Sequence, residues 1–165
     1  MTQSLEERFG AAYDEYADAI FRFCYAQTRR RELALDLMQD AFARTWSHLV
    51  GGNIIRELRP FLYKAARNAL IDHHRRAHPS SLDALHEGGF DAVDDEAPDP
   101  HLSATAAHAI RVASSLEPPY REALLMRFVD DLKPREIADI TGDSENVISV
   151  RITRGLQKLR ELLKP

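Results

Sequence analysis

The chain has 165 residues, of which 44% are hydrophobic and 29% charged. That is apolar material for one ordinary domain or two small ones, and it excludes a large multidomain enzyme and a chain disordered throughout. The formal charge of -4 argues weakly against a nucleic-acid partner until it is divided along the chain. Residues 1–20 hold five acids and one base, residues 51–78 six bases and two acids, and residues 79–100 seven acids with no Lys or Arg. Charge sorted in this way points to separate partners for separate segments. The single cysteine, Cys24, cannot form an intrachain disulfide and fits a reducing, cytoplasmic setting. No stretch approaches the roughly 18 apolar residues of a membrane span. Glu6, Glu7 and Arg8 stand where a signal peptide needs an apolar run, so neither secretion nor membrane insertion is expected.

Taken in chain order, Ser4 and Glu7 make a capping box. Leu5, Phe9, Ala12, Tyr16, Ile20 and Phe23 then recur at steps of three and four, which predicts a helix over 5–27. Arg29, Arg30 and Arg31 lie near the turn. A second apolar stripe runs through Leu35, Met38, Phe42, Trp46 and Leu49, with Glu32, Asp36, Gln39 and Asp40 on its other side. Gly51, Gly52 and Asn53 break that helix, and Pro60 suits the first turn of a third, which reaches about Arg76. Residues 1–78 therefore read as a small bundle of three or four helices. Residues 79–100 read as an acidic linker with the Ser80-Ser81 and Gly88-Gly89 pairs. Residues 101–165 form a second helical body. Asp99-Pro100 is its expected start, Leu102, Ala106, Ile110 and Ala113 line its first helix, and Pro118-Pro119 restarts the chain with Leu124, Leu125 and Phe128 as the apolar side. The fold class is all-α: two small bundles joined by an acidic linker.

The second body ends in the most informative stretch. Pro134–Ile140 predicts a short helix, Gly142 a C-terminal cap, and Ser144 the cap of a longer helix to about Leu163. This is helix-turn-helix spacing. On the last helix Ile148, Ile152, Leu156, Leu159 and Leu163 are expected to face the core, while Arg151, Arg154 and Lys158 share another face. A basic face is by default a solvated one. The short helix and glycine turn ahead of it are the geometry that lets such a helix enter a DNA major groove, where guanidinium groups bridge phosphates or read guanine edges.

The run Leu132–Ala138 with Gly142–Ile148 and Arg151–Gly155 resembles the C-terminal helix-turn-helix of bacterial sigma factors, a pattern partly shared by response regulators. The first half decides between them. Ala34–Phe42, followed by Phe61–Arg76, resembles the core-binding and promoter-melting module of the compact extracytoplasmic-function sigma factors of the sigma-70 family. The resemblance covers nearly the whole chain in the expected order. It implies core RNA polymerase as partner, through the clamp helices of its largest subunit and the flap of its second largest, together with promoter DNA and an anti-sigma protein. It implies no cofactor, no metal and no catalytic residue.

Carried over residue by residue, Asp36, Leu37, Gln39, Asp40 and Phe42 dock the clamp helices. Asn53, in a loop over 49–59, captures an unpaired minus-ten base, with Arg56, Arg59, Lys64, Arg67, Asn68, His74, Arg75 and Arg76 holding the surrounding DNA. Ser144, Asn146, Ser149, Arg151, Arg154 and Lys158 hold the minus-thirty-five element. The tether acids Asp94, Asp95 and Glu96 approach the polymerase channel by mimicking RNA charge. Trp46, Phe61 and Tyr63 offer rings that can stack on bases, although Trp46 and Phe61 fall on apolar stripes. Asp72 reads as a helical-spacing partner of Arg75 or Arg76. The sequence departs from the family at Phe61, where Trp is common, at Asp143, where an aliphatic residue is common, at Lys133, where Ser or Thr caps the helix, and at Gly155, where Ala is usual. Opening about ten base pairs at about 1.4 kcal/mol per step needs roughly 14 kcal/mol. A stacked base returns about 1 to 3 kcal/mol, so the polymerase must supply the rest.

Two other readings compete. A polymerase-independent helix-turn-helix regulator predicts tight duplex binding by the chain alone. A metal-dependent hydrolase built on Asp72, His73, His74 and His78 lacks the glutamate that a metalloprotease helix places between its histidines.

Overall fold

The computed structural model describes residues 2–78 and 102–165, and within them all regular structure is helical. The expected linker over 79–100, the Asp99-Pro100 helix start and the tether acids Asp94, Asp95 and Glu96 lie outside the described residues.

Local chemistry sets most helix ends. Helix α1 (Leu5–Thr28) opens on the predicted capping box: Ser4 Oγ accepts from the Glu7 N–H and Glu7 accepts from the Ser4 N–H. It closes on Arg29, which takes a left-handed conformation (φ 56°) without help from glycine. Helices α2 (Arg31–Val50) and α3 (Leu58–Ala77) follow, and the three pack as a bundle around Ile20, Phe23, Leu37, Phe42, Leu62 and Tyr63.

In the second body, α4 (Ala104–Ala113) is capped by Ser103, whose Oγ accepts from the Ala106 N–H. Leu102 thus precedes the helix. Helix α5 (Pro118–Leu124) has proline in its first turn and runs directly into one π-helical turn, Leu125–Val129. The wider turn shifts the face that follows it. Leu124, Leu125 and Met126 are buried, but Phe128, expected on the apolar side, is 59% exposed.

Helices α6 (Pro134–Thr141) and α7 (Glu145–Leu162) form the helix-turn-helix. Gly142 supplies the predicted cap at φ 81°, and Ser144 Oγ accepts from the Val147 N–H at 3.1 Å. Lys133 has no acceptor to offer, so only half a capping box forms, with Glu136 accepting from the Lys133 N–H at 3.1 Å. Ile148 is buried, with Ile152, Leu156 and Leu159 half-buried. Leu163, expected inside, is 65% exposed because the helix has ended.

Gly155 sits at a close helix crossing. A Cβ there would stand 3.0 Å from Leu124 Cδ1 and 3.1 Å from its Cγ, so a side chain at this crossing of α7 and α5 requires Leu124 to give by a few tenths of an ångström. Gly155→Ala gains up to about 1 kcal/mol of helix propensity against about 1–3 kcal/mol of overpacking. A net loss of about 1 kcal/mol in urea unfolding is expected, and a larger one for Gly155→Val.

The two bodies touch. Helix α3 lies on α6, α1 meets the π-turn, and the buried apolar residues of both form one continuous cluster that includes Ile110, Leu125, Met126, Leu132 and Ile137.

Candidate nucleic-acid interface

Helix α7 presents the basic face that its spacing predicted. Ser144, Asn146, Ser149 and Arg154 are exposed, and Arg151 and Lys158 are half-buried. Two of the three cations have partners. Arg151 Nη1 donates to Asp143 Oδ2 at 2.6 Å. Lys158 Nζ donates to Glu117 at 3.4 Å and sits over the Tyr120 ring. Ser144 spends its hydroxyl on the cap, so any DNA contact must use the oxygen's second lone pair or the hydroxyl proton.

The loop between α2 and α3 exposes Asn53 and Arg56. Gly52 takes φ 86°, and Asn53 Nδ2 donates to the His48 carbonyl at 3.1 Å, closing the end of α2. The amide thus helps to hold the turn. On α3, Lys64, Asn68, Arg75 and Arg76 are exposed and His74 is half-buried. Arg56, Arg59 and Lys64 share with Lys133 and Arg135 of the second body a cleft of about 920 Å³, which Glu57, Glu136 and Asp139 also line.

On α2 the expected docking set divides. Asp36 and Gln39 are exposed and Asp40 is half-buried, as three polar residues on one face require. Leu37 (5% exposed) and Phe42 (3%) are core instead, Phe42 packing edge-on to Phe9 and against Tyr13. Their side chains hold the helix and cannot form the docking surface. Arg44 ties this face to α3, reaching Asp40 at 3.0 Å and Asp72 at 2.9 Å. Asp72 therefore pairs across helices rather than with Arg75 or Arg76 along its own. Tyr63 is 1% exposed, stacked edge-on against Phe23, and cannot receive a base. Trp46 packs on Phe9, and Phe61 on His48. Cys24 is fully buried, and burial pushes its thiol far above the usual range, so it is an inert core residue. Among the described residues no group of three or more His, Cys, Asp or Glu is placed to hold a metal ion.

The Sigma-70 region 2 profile matches residues 12–79, and the Sigma-70 region 4 profile matches residues 109–159. Together the two matches span most of the chain, which belongs to the sigma-70 family. It is similar to the ECF RNA polymerase sigma factor SigW of Bacillus subtilis, 27% identical over 96% of this chain and 90% of that one. It is also similar to SigM of the same organism, 29% identical over 91% of each. Its fold matches the sigma factor RpoE of Bartonella quintana, solved in complex with the anti-sigma factor NepR, with a TM-score of 0.75 over 95% of this chain and 97% of that one at 21% identity. As a sigma factor it directs RNA polymerase to promoters, and no feature favours the polymerase-independent regulator.

What sequence reasoning missed in this sigma factor is where some of its arginines go. Arg67 Nε donates to Glu122 Oε1 at 2.8 Å, with both side chains largely buried, and Arg59 donates to the Asp130 carbonyl. Arg22 Nε and Nη2 both donate to Asp130 Oδ1, at 3.2 and 3.0 Å. Every one of these contacts joins region 2 to region 4. Asp130 is almost fully buried, and that burial raises its carboxyl from 3.8 to about 6. Arg22, the Tyr63 hydroxyl and Arg59 all pull the other way. The signal available in the sequence was weak: Glu122 and Asp130 bracket a mostly apolar run, Ala123–Val129, where carboxylates drawn into the interior demand partners.

Proposed function

We propose that the two regions divide promoter recognition between them. Region 2, over 1–78, docks the polymerase clamp helices through Asp36, Gln39 and Asp40 and reads the minus-ten element through the Asn53 loop and α3. Region 4, over 101–165, docks the flap and reads the minus-thirty-five element through α7, with residues 79–100 as the tether. The reading rests above all on one observation: α7 carries Arg151, Arg154 and Lys158 on a face distinct from its buried Ile148 side, behind a short capped helix. Catalysis belongs to the polymerase, and the chain works in the cytoplasm. In the free chain Arg59 and Arg67 are engaged by region 4, so region 2 cannot use them on DNA until the regions separate. Binding to core polymerase, which must grip them at two places, supplies that separation. By analogy with the Bartonella complex, an anti-sigma protein holds the chain inactive.

Run-off transcription with purified core polymerase on a promoter library tests this. Product is expected only when both core and this chain are present. Transcripts from neither combination, with tight duplex binding by the chain alone, would overturn it.

A further inference from the structure

Asp143 has a specific neighbour in the structure, Arg151. The aspartate occupies the turn between α6 and α7, fixed on both sides. Gly142 caps α6 before it, Ser144 caps α7 after it, and its own N–H donates to Thr141 Oγ1 at 3.3 Å. From this anchored position its carboxylate accepts from Arg151 Nη1 at 2.6 Å, with both side chains only partly exposed. Arg151 lies on the second turn of α7 and lines a groove of about 390 Å³ with Asn146, Val147, Val150 and Arg154.

We propose that Asp143 is a positioning residue: it holds the Arg151 guanidinium in one orientation so that its remaining N–H donors meet the O6 and N7 acceptors of a single guanine in the upstream promoter element. A guanidinium carries five donors in a rigid fork, so one spent on a carboxylate leaves a pair free for a base edge. A free arginine on a helix face finds phosphates and bases alike, whereas an anchored one discriminates, because ordering it no longer counts against the specific contact. By fixing Arg151, the Asp143 carboxylate gives the chain a preference at one base pair that a neutral turn would not impose. The inference rests on α7 reading the upstream element.

The test is selection from promoters randomised over the upstream element with the minus-ten region fixed, using holoenzyme assembled from core polymerase and full-length chain. Variants are Asp143→Ala, Asp143→Asn, Arg151→Ala and Arg154→Ala, each checked for an unchanged melting temperature. The unaltered chain should enrich guanine at one position, and Arg151→Ala should abolish that enrichment. Asp143→Ala should lower it about ten-fold at the same position, and Asp143→Asn, which keeps an acceptor without the charge, by less. Three results would overturn the positioning role: enrichment lost with Arg151→Ala but intact in Asp143→Ala; a uniform gain in initiation across all sequences in Asp143→Ala, as from a carboxylate that merely competes with DNA; or a loss confined to a different position, as from Asp143 reading a cytosine itself. If neither arginine variant alters upstream preference, the assignment of α7 falls as well, which separates the two failures.

Discussion

Arg22→Ala should lower the unfolding free energy by about 3 kcal/mol at neutral pH, because it strands the Asp130 carboxylate in the interior without its cation. The loss should shrink at pH 5, where the stranded group takes a proton. Asp130→Asn in the same background should recover most of it, since the amide fills the same space without a charge. The pH dependence of the unaltered chain has a definite sign. Asp130 binds its proton more tightly folded than unfolded, with its carboxyl raised from 3.8 to about 6. Its contribution to stability is therefore full below about pH 4 and is lost as pH rises through about 6, a difference of about 3 kcal/mol. Arg22, Arg59 and the Tyr63 hydroxyl face the group and Cys24 lies near it; burial pushes the Tyr63 hydroxyl and the Cys24 thiol up, away from that window. Urea unfolding of the unaltered chain and of Asp130→Asn between pH 4 and 8 isolates the effect as a difference curve. Parallel curves would show that Asp130 does not titrate there.

The second large effect concerns Arg67 and Glu122. In the free chain, removing either partner leaves the other buried and uncompensated, at a cost to the closed arrangement of about 2–4 kcal/mol. Arg67→Ala and Glu122→Ala should therefore both expand the free chain in small-angle scattering. Their effects on promoters should diverge. Arg67→Ala also removes the proposed minus-ten contact, and holoenzyme open-complex formation, followed by fluorescence of a base analogue in the minus-ten element, should fall about ten-fold. Glu122→Gln keeps the arginine available and should match or exceed the unaltered chain. Equal open-complex formation by all three would assign Arg67 to the inter-region contact alone.

The caps were legible in the sequence because their chemistry is local. Ser4 with Glu7, Ser144 and Gly142 each act within three or four residues, and each sits where expected. The exposed polar face of α2 and the basic face of α7 were legible because helical period alone sorts them. Phe128 escaped because one π-helical turn breaks that period. Leu37 and Phe42 escaped because the family pattern names a helix that docks polymerase without separating the residues that touch it from those that hold its shape. The partners of Arg22 and Arg67 lie 108 and 55 residues away, beyond any local rule, and only the burial of Glu122 and Asp130 hinted at them. Asp143 was visible as a departure from the family, but its grip on Arg151 needed the turn's geometry.

The apolar cluster shared by the two regions also fixes how their separation responds to temperature. Pulling them apart hydrates Leu125, Met126, Ile137 and their neighbours across the divide, and hydrating apolar surface raises the heat capacity. The apolar part of the attraction between the regions therefore weakens on cooling, so the free chain should release its arginines more readily in the cold than when warm.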